Sequence, residues 1–161
     1  MTELPLHALC EPVSFLLGTW VGEGHGDYPG LHPFAYREEA RFWHVGRPYI
    51  AFEQRTWTAD DHGAMTRERH GESGYLRCLE GGQLELVVAM VPGHAELSTG
   101  RVEGTRVSLE SVGVLDSPTA ASVSGVKRTW WLDGEVLRYD VEMAALDQPM
   151  TWHLSAELRR A

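Results

Sequence analysis

The stretch Val123-Ser-Gly-Val-Lys-Arg-Thr-Trp-Trp-Leu132, Asp133-Gly134, Glu135-Val-Leu-Arg-Tyr-Asp-Val-Glu-Met-Ala-Ala145 reads as a β-hairpin. An Asp-Gly pair between two β-rich runs is the strongest short-range hairpin signal, because a tight turn needs residues that tolerate positive φ. Outward from this hairpin the same punctuation repeats. Toward the C-terminus, Leu146–Pro149 turns the chain into a strand over Met150–Arg160. Toward the N-terminus, a loop at Asp116–Ala121 is preceded by strands at Thr105–Val112, His94–Val102 and Leu84–Val91, separated by Glu103-Gly104 and Pro92-Gly93. Gly81-Gly82 leads back to Thr66–Cys78, and the polar loop Thr58–Gly63 to Tyr49–Trp57. Gly46-Arg47-Pro48 precedes that strand, and Phe34–Val45 lies before it. There Phe34, Tyr36, Ala40 and Phe42 alternate with Arg37, Glu39 and Arg41. Trp20–Gly26 completes a set of about ten strands.

Only Val13–Leu17, after Pro12, leaves room for a helical turn or two. Without long helices there are no βαβ crossovers, and sequential hairpins make a meander. Closing the meander removes both sheet edges. The expected fold is therefore all-β: a closed antiparallel up-and-down β-barrel of about ten strands with a short N-terminal helical turn. A barrel of this size leaves room inside for a ligand.

Composition sets the outer bounds. A chain of 161 residues with 43% hydrophobic and 23% charged residues is one folded domain, expected over residues 1–161. The formal charge of −9 argues against a nucleic-acid backbone or an anionic membrane surface as partner. No apolar run approaches the ~18 residues of a membrane helix. The start Met1-Thr-Glu-Leu-Pro-Leu-His-Ala-Leu-Cys10 has neither a basic region nor a long apolar stretch of the secretory kind. With only Cys10 and Cys78 as cysteines, a cytoplasmic protein is expected.

Sites of known chemistry are sparse. The cluster Gly18-Thr-Trp20-Val-Gly22-Glu-Gly24 lacks the strand–loop–helix context and the Lys-Ser/Thr of a phosphate loop, so its glycines read as bends at the barrel's closure. The eight histidines form no metal-binding pairs at helical spacing, and no Cys-x-x-Cys exists. His7, His25, His32, His44, His62 and His94 read as solvated residues of loops and strand ends. His70 sits in an unusually polar strand segment. For His153, strict alternation groups it with Ser155 and Glu157, opposite Leu154, Ala156 and Leu158. A bulge at the strand entry would re-aim it, and periodicity does not decide between the two. Glu38 and Glu39 point to opposite faces and cannot share a substrate, and Cys78 reads as an inert buried thiol.

Three segments together resemble the nitrobindin family of haem-binding β-barrels, whose shape is lipocalin- and fatty-acid-binding-protein-like. The first is Gly18-Thr-Trp20-Val-Gly22-Glu-Gly24, the family's Gly-x-Trp-x-Gly-x-Gly signature. The second comprises Gly46-Arg-Pro48, Arg55-Thr-Trp57 and His70-Gly-Glu-Ser-Gly-Tyr75-Leu-Arg77. The third joins Tyr139-Asp-Val-Glu-Met143 to His153-Leu-Ser-Ala-Glu-Leu158-Arg159. The resemblance spans about residues 9–160. It implies one haem b per chain with His153 as axial iron ligand, Lys127 pairing with a haem propionate, and His70 in the distal pocket wall. It also implies isomerisation of peroxynitrite to nitrate at ferric haem, with nitric oxide as a further ligand, in a monomer or homodimer. The alternative reading is a haem-free carrier of an apolar small molecule.

Overall fold

A computed structural model describes residues 4–161; residues 1–3 of the expected domain lie outside the described residues. Ten strands form one closed barrel: β1 Gly18–Gly26, β2 Phe34–Trp43, β3 Tyr49–Ala59, β4 Met65–Cys78, β5 Gln83–Met90, β6 His94–Glu103, β7 Arg106–Asp116, β8 Val123–Asp133, β9 Val136–Ala145 and β10 Thr151–Arg160. Each strand pairs antiparallel with its sequence neighbours, and β1 closes the circle on β10. The expected up-and-down barrel is what the chain forms. β7 runs four residues past the expected end at Val112, to Asp116. The N-terminal helical turn is longer than expected: a 3-10 helix spans Ala8–Leu16 and takes in Pro12. Its first turn is capped by His7, whose ring nitrogen accepts from the Leu9 N–H at 3.2 Å.

The helix closes one end of the barrel. Cys10, Val13 and Leu16 are buried there with Trp20, Leu76, Leu86, Val107 and Leu158. Trp20 donates its indole N–H to the Leu16 carbonyl at 2.7 Å, so the first strand and the plug hold one another. β1 needs glycines against both of its neighbours, β10 and β2. A Cβ on Gly22 would lie 2.0 Å from the Glu157 carbonyl oxygen, and one on Gly24 would lie 2.2 Å from the Tyr36 ring. Closure on β10 is thus what Gly22 permits, while Gly24 makes room for a ring of β2. The opposite end stays open between the β1–β2 loop and the starts of β6 and β10.

Candidate functional site

A cavity of about 600 Å³ opens at that end. Its rim carries Leu31, His32, Pro33, Phe34, Arg69, His70, Pro92, His94, Met143 and His153. His32 and His94, expected to be merely solvated, belong to this rim. Below the rim lies a band of polar side chains: Tyr36, Glu38, Gln54, Thr56, Glu72, Arg128 and Tyr139. Beneath the band the lining turns apolar again, with Ala40, Phe42, Phe52, Trp130, Leu137 and Leu158.

His153 reaches the cavity through a register shift. β10 pairs Trp152 with Glu142 and Leu154 with Val141, so His153 is the extra residue of a bulge. The bulge lets consecutive residues His153 and Leu154 both line the cavity, which alternation forbids. The β1–β2 loop then fixes the imidazole. Asp27 donates its N–H to the His153 carbonyl at 2.9 Å, and the Asp27 carbonyl lies 3.2 Å from His153 Nδ1. Tyr28 and Phe34 pack edge-on against the ring, at 5.3 and 6.1 Å between centroids. Burial pushes the His153 pKa below its ordinary value; the bond to Asp27 opposes this and nearby His70 reinforces it. The ring is therefore neutral at pH 7. With Nδ1–H donated to a carbonyl, the tautomer leaves the Nε2 lone pair free.

His70 lines the same cavity, with Nε2 3.2 Å from Glu72 Oε2. Burial alone would raise the Glu72 pKa, but the Arg128 guanidinium and His70 outweigh it and hold the carboxyl at about 2. Arg128 lies between Glu72 and Glu96, reaching Glu72 Oε1 at 2.6 Å and Glu96 Oε2 at 2.7 Å. Ser98 donates to Glu96 at 2.5 Å. Across the cavity, Gln54 donates to Glu38 Oε1 at 2.8 Å, and Tyr139 donates to Oε2 at 2.5 Å. Burial pushes the Glu38 carboxyl up to about 7, against the lowering effect of those two bonds.

Of the residues singled out in the sequence, the structure brings His153 and His70 together at the rim. Lys127 is elsewhere. Its neighbours Val126 and Arg128 face inward, so Lys127 faces outward, half-exposed, with Nζ 3.9 Å from Glu110. Alternation along β8 decides this, and the expected pairing with a propionate finds no support in that position. The motif residues Gly18, Trp20, Gly22 and Gly24 shape the seam and the closed end and do not line the cavity. Sequence reasoning missed the polar band, though a signal existed. Glu38 shares the parity of Phe34, Tyr36, Ala40 and Phe42, and Arg128 that of Val126 and Trp130. A charge at an inward position of an apolar face is a buried charge.

Comparison with known proteins agrees with this architecture. Residues 9–160 match the family model described as THAP4-like, heme-binding beta-barrel domain. The chain belongs to this family, the nitrobindins. A "Peroxynitrite isomerase" of Nocardioides sp. is 40% identical over 161 residues, covering 98% of each chain. "Peroxynitrite isomerase 2" of Mycobacterium avium is 41% identical, covering 96% of each. The crystal structure of Rv2717c from M. tuberculosis superposes with a TM-score of 0.88 at 36% identity, covering 98% of this chain and 99% of that one.

Whether this nitrobindin barrel suits a haem is tested by the donor set. A metal-binding histidine normally gives its second ring N–H to a carbonyl or carboxylate, which fixes the ring and raises its basicity. His153 has that bond, a neutral ring and a place on the rim of an apolar-walled cavity. The residues fit.

Proposed function

We propose that this chain is a haem-dependent peroxynitrite isomerase that also binds nitric oxide, with His153 as the residue that would hold the iron. The observation that carries the reading is the bulge at His153 and the Asp27 carbonyl beside it, which together put the imidazole on the cavity lining with Nδ1 engaged and Nε2 free. Bound haem would supply the ferric-iron chemistry that converts peroxynitrite to nitrate without net gain or loss of electrons. The chain's own residues do the rest. Asp27, Tyr28 and Phe34 hold the imidazole ring in one orientation. Phe34, Met143 and Leu154 offer apolar walls that exclude water from a macrocycle. His70, held by Glu72, presents its other face to the cavity and is proposed as part of the distal wall. No side chain needs to act as a base, because the reaction moves no proton.

The two isomerase-named relatives, matched over nearly their whole length, support the substrate assignment. The two free buried thiols, Cys10 and Cys78, suit a cytoplasmic location. A haem-free carrier role draws only on the apolar lining, which haem uses equally. The test is optical. Chain supplied with haem should keep a Soret band through desalting and speed peroxynitrite decay to nitrate, and His153→Ala should lose both. Wild-type chain that releases haem on desalting would overturn the proposal.

A further inference from the structure

The barrel interior carries more negative charge than positive. Among the described residues, three buried carboxylates face inward, Glu38, Glu72 and Glu96, against the single guanidinium of Arg128. Every charged contact of Arg128 goes to Glu72 and Glu96. Glu38 is left with neutral partners only, Gln54 and Tyr139. A carboxylate has about four acceptor sites, and these two bonds use two of them. An isolated buried carboxylate is costly, so the site is completed either by a proton or by a cation.

The cavity says which kind of cation fits. No group of three or more His, Cys, Asp or Glu able to hold a metal ion occurs among the described residues. Below Glu38 stand three aromatic rings in contact. Phe42 and Phe52 are stacked at 5.8 Å, and Trp130 meets them edge-on at 5.6 and 5.9 Å. Aromatic walls next to a carboxylate recognise organic ammonium groups, through ring quadrupoles and charge together. A fatty acid would bring a second anion into this acidic band.

We propose that the closed half of the barrel, below the polar band, is a second ligand site for a small organic ammonium ion, whose charge meets Glu38 and whose apolar body lies among Phe42, Phe52 and Trp130. The site lies deeper in the same cavity as the rim and uses none of the side chains assigned to the haem.

Binding of an ammonium ion requires ionised Glu38, so it competes with the proton there. The groups facing Glu38 are Tyr139, Tyr36, Glu72 and His70. The tyrosines are held protonated by burial, and Glu72 is ionised throughout the neutral range. Glu38→Gln, which leaves His70 in place, separates the part of Glu38 in the pH dependence from any part of His70.

The test is calorimetric titration of the full-length chain, before any haem is added, with n-butylammonium, butan-1-ol and butanoate. Butylammonium should bind at one site per chain, at least ~10-fold tighter than the alcohol or the acid. Its affinity should rise about tenfold between pH 6 and pH 8, with proton release below pH 7 seen as a dependence on buffer ionisation enthalpy. Glu38→Gln should erase both the pH dependence and the preference for ammonium. Equal affinity for amine and alcohol, absence of binding, or binding without proton release would each overturn the site. Proton release is read on the wild-type chain, so the outcome stands even if a variant fails to fold.

Discussion

Tyr28 ties the β1–β2 loop to the end of β9, two strands from β1, through one hydroxyl. It accepts from the Ala145 N–H at 2.8 Å and shares its proton between the Met143 and Ala145 carbonyls, at 3.0 and 3.2 Å. Its ring meanwhile packs against His153. Tyr28→Phe keeps the ring and strands a buried N–H, which costs about 1–3 kcal/mol. The urea midpoint should fall accordingly, and haem should transfer faster to a scavenger protein while the Soret maximum stays in place. An unchanged midpoint would show that the hydroxyl carries no such weight. His153 itself makes a prediction about acid. Its neutral form is the one that would hold iron, and burial lowers its pKa, so protonation sets in below the ordinary imidazole value of about 6.5. Loss of the Soret band on acidification should therefore have its midpoint below ~6.5. A midpoint above that value would mean that another group controls release.

Among the elements, the β1–β10 seam and the bulge show how far residue patterns reach. The hairpins were legible because each turn carries its own chemistry, as at Asp133-Gly134, where Gly134 takes a positive φ of 61°. Gly22 was legible as closure for a similar reason: the backbone of β10 leaves room for no side chain there. The orientation of His153 was not. A period of two flips every side chain when one residue is inserted, and the insertion here is held by Asp27, more than a hundred positions away. The polar band stayed hidden because its members sit one or two per strand on β2, β3, β4, β8 and β9, and only closure brings them together. Gly22→Ala should expose the seam's demand. Its Cβ would strike backbone on β10 rather than a movable side chain, so a loss of ~3 kcal/mol or more, or failure to fold, is expected. Gly113→Ala on β7 meets nothing within 4 Å and serves as the control, with little change in the unfolding midpoint. Equal effects at the two sites would refute the closure argument.

For the molecule as a whole, Glu38 and Glu72 pull the pH dependence of stability in opposite directions. The folded pKa of Glu72 is depressed, to about 2, below its unfolded value near ~4.3. Its contribution is present above ~4.3 and is lost as pH falls through the folded value. The folded pKa of Glu38 is raised, to about 7. Its neutral form is the one favoured by folding, so its contribution is full below ~4.3 and is lost as pH rises toward 7. His153, lowered by burial, works against Glu38 at the top of that window, since folding favours its neutral ring above ~6.5. A chain of formal charge −9 also gains from acidification, as self-repulsion weakens toward the sequence pI near 5.3. These effects combine to place maximal stability of the haem-free chain on the acid side of neutrality, near pH ~5. Glu38→Gln removes the decline above that point. At pH 8 the variant should exceed wild type by on the order of 3 kcal/mol, the cost of ionising a group with this shift, discounted by whatever packing the amide disturbs. At pH 4.5 the advantage should vanish. Denaturant midpoints measured from pH 4 to pH 9 decide the matter: parallel curves for the two proteins would mean that Glu38 does not titrate in the folded barrel. Arg128→Met tests the other carboxylates from the opposite side. It leaves Glu72 and Glu96 buried without a counter-charge, so a loss of about 3–5 kcal/mol is expected at pH 7. That loss should shrink steadily as pH falls from neutrality, because burial without Arg128 raises the Glu72 pKa above its unfolded value and the variant regains stability as that carboxyl takes up its proton.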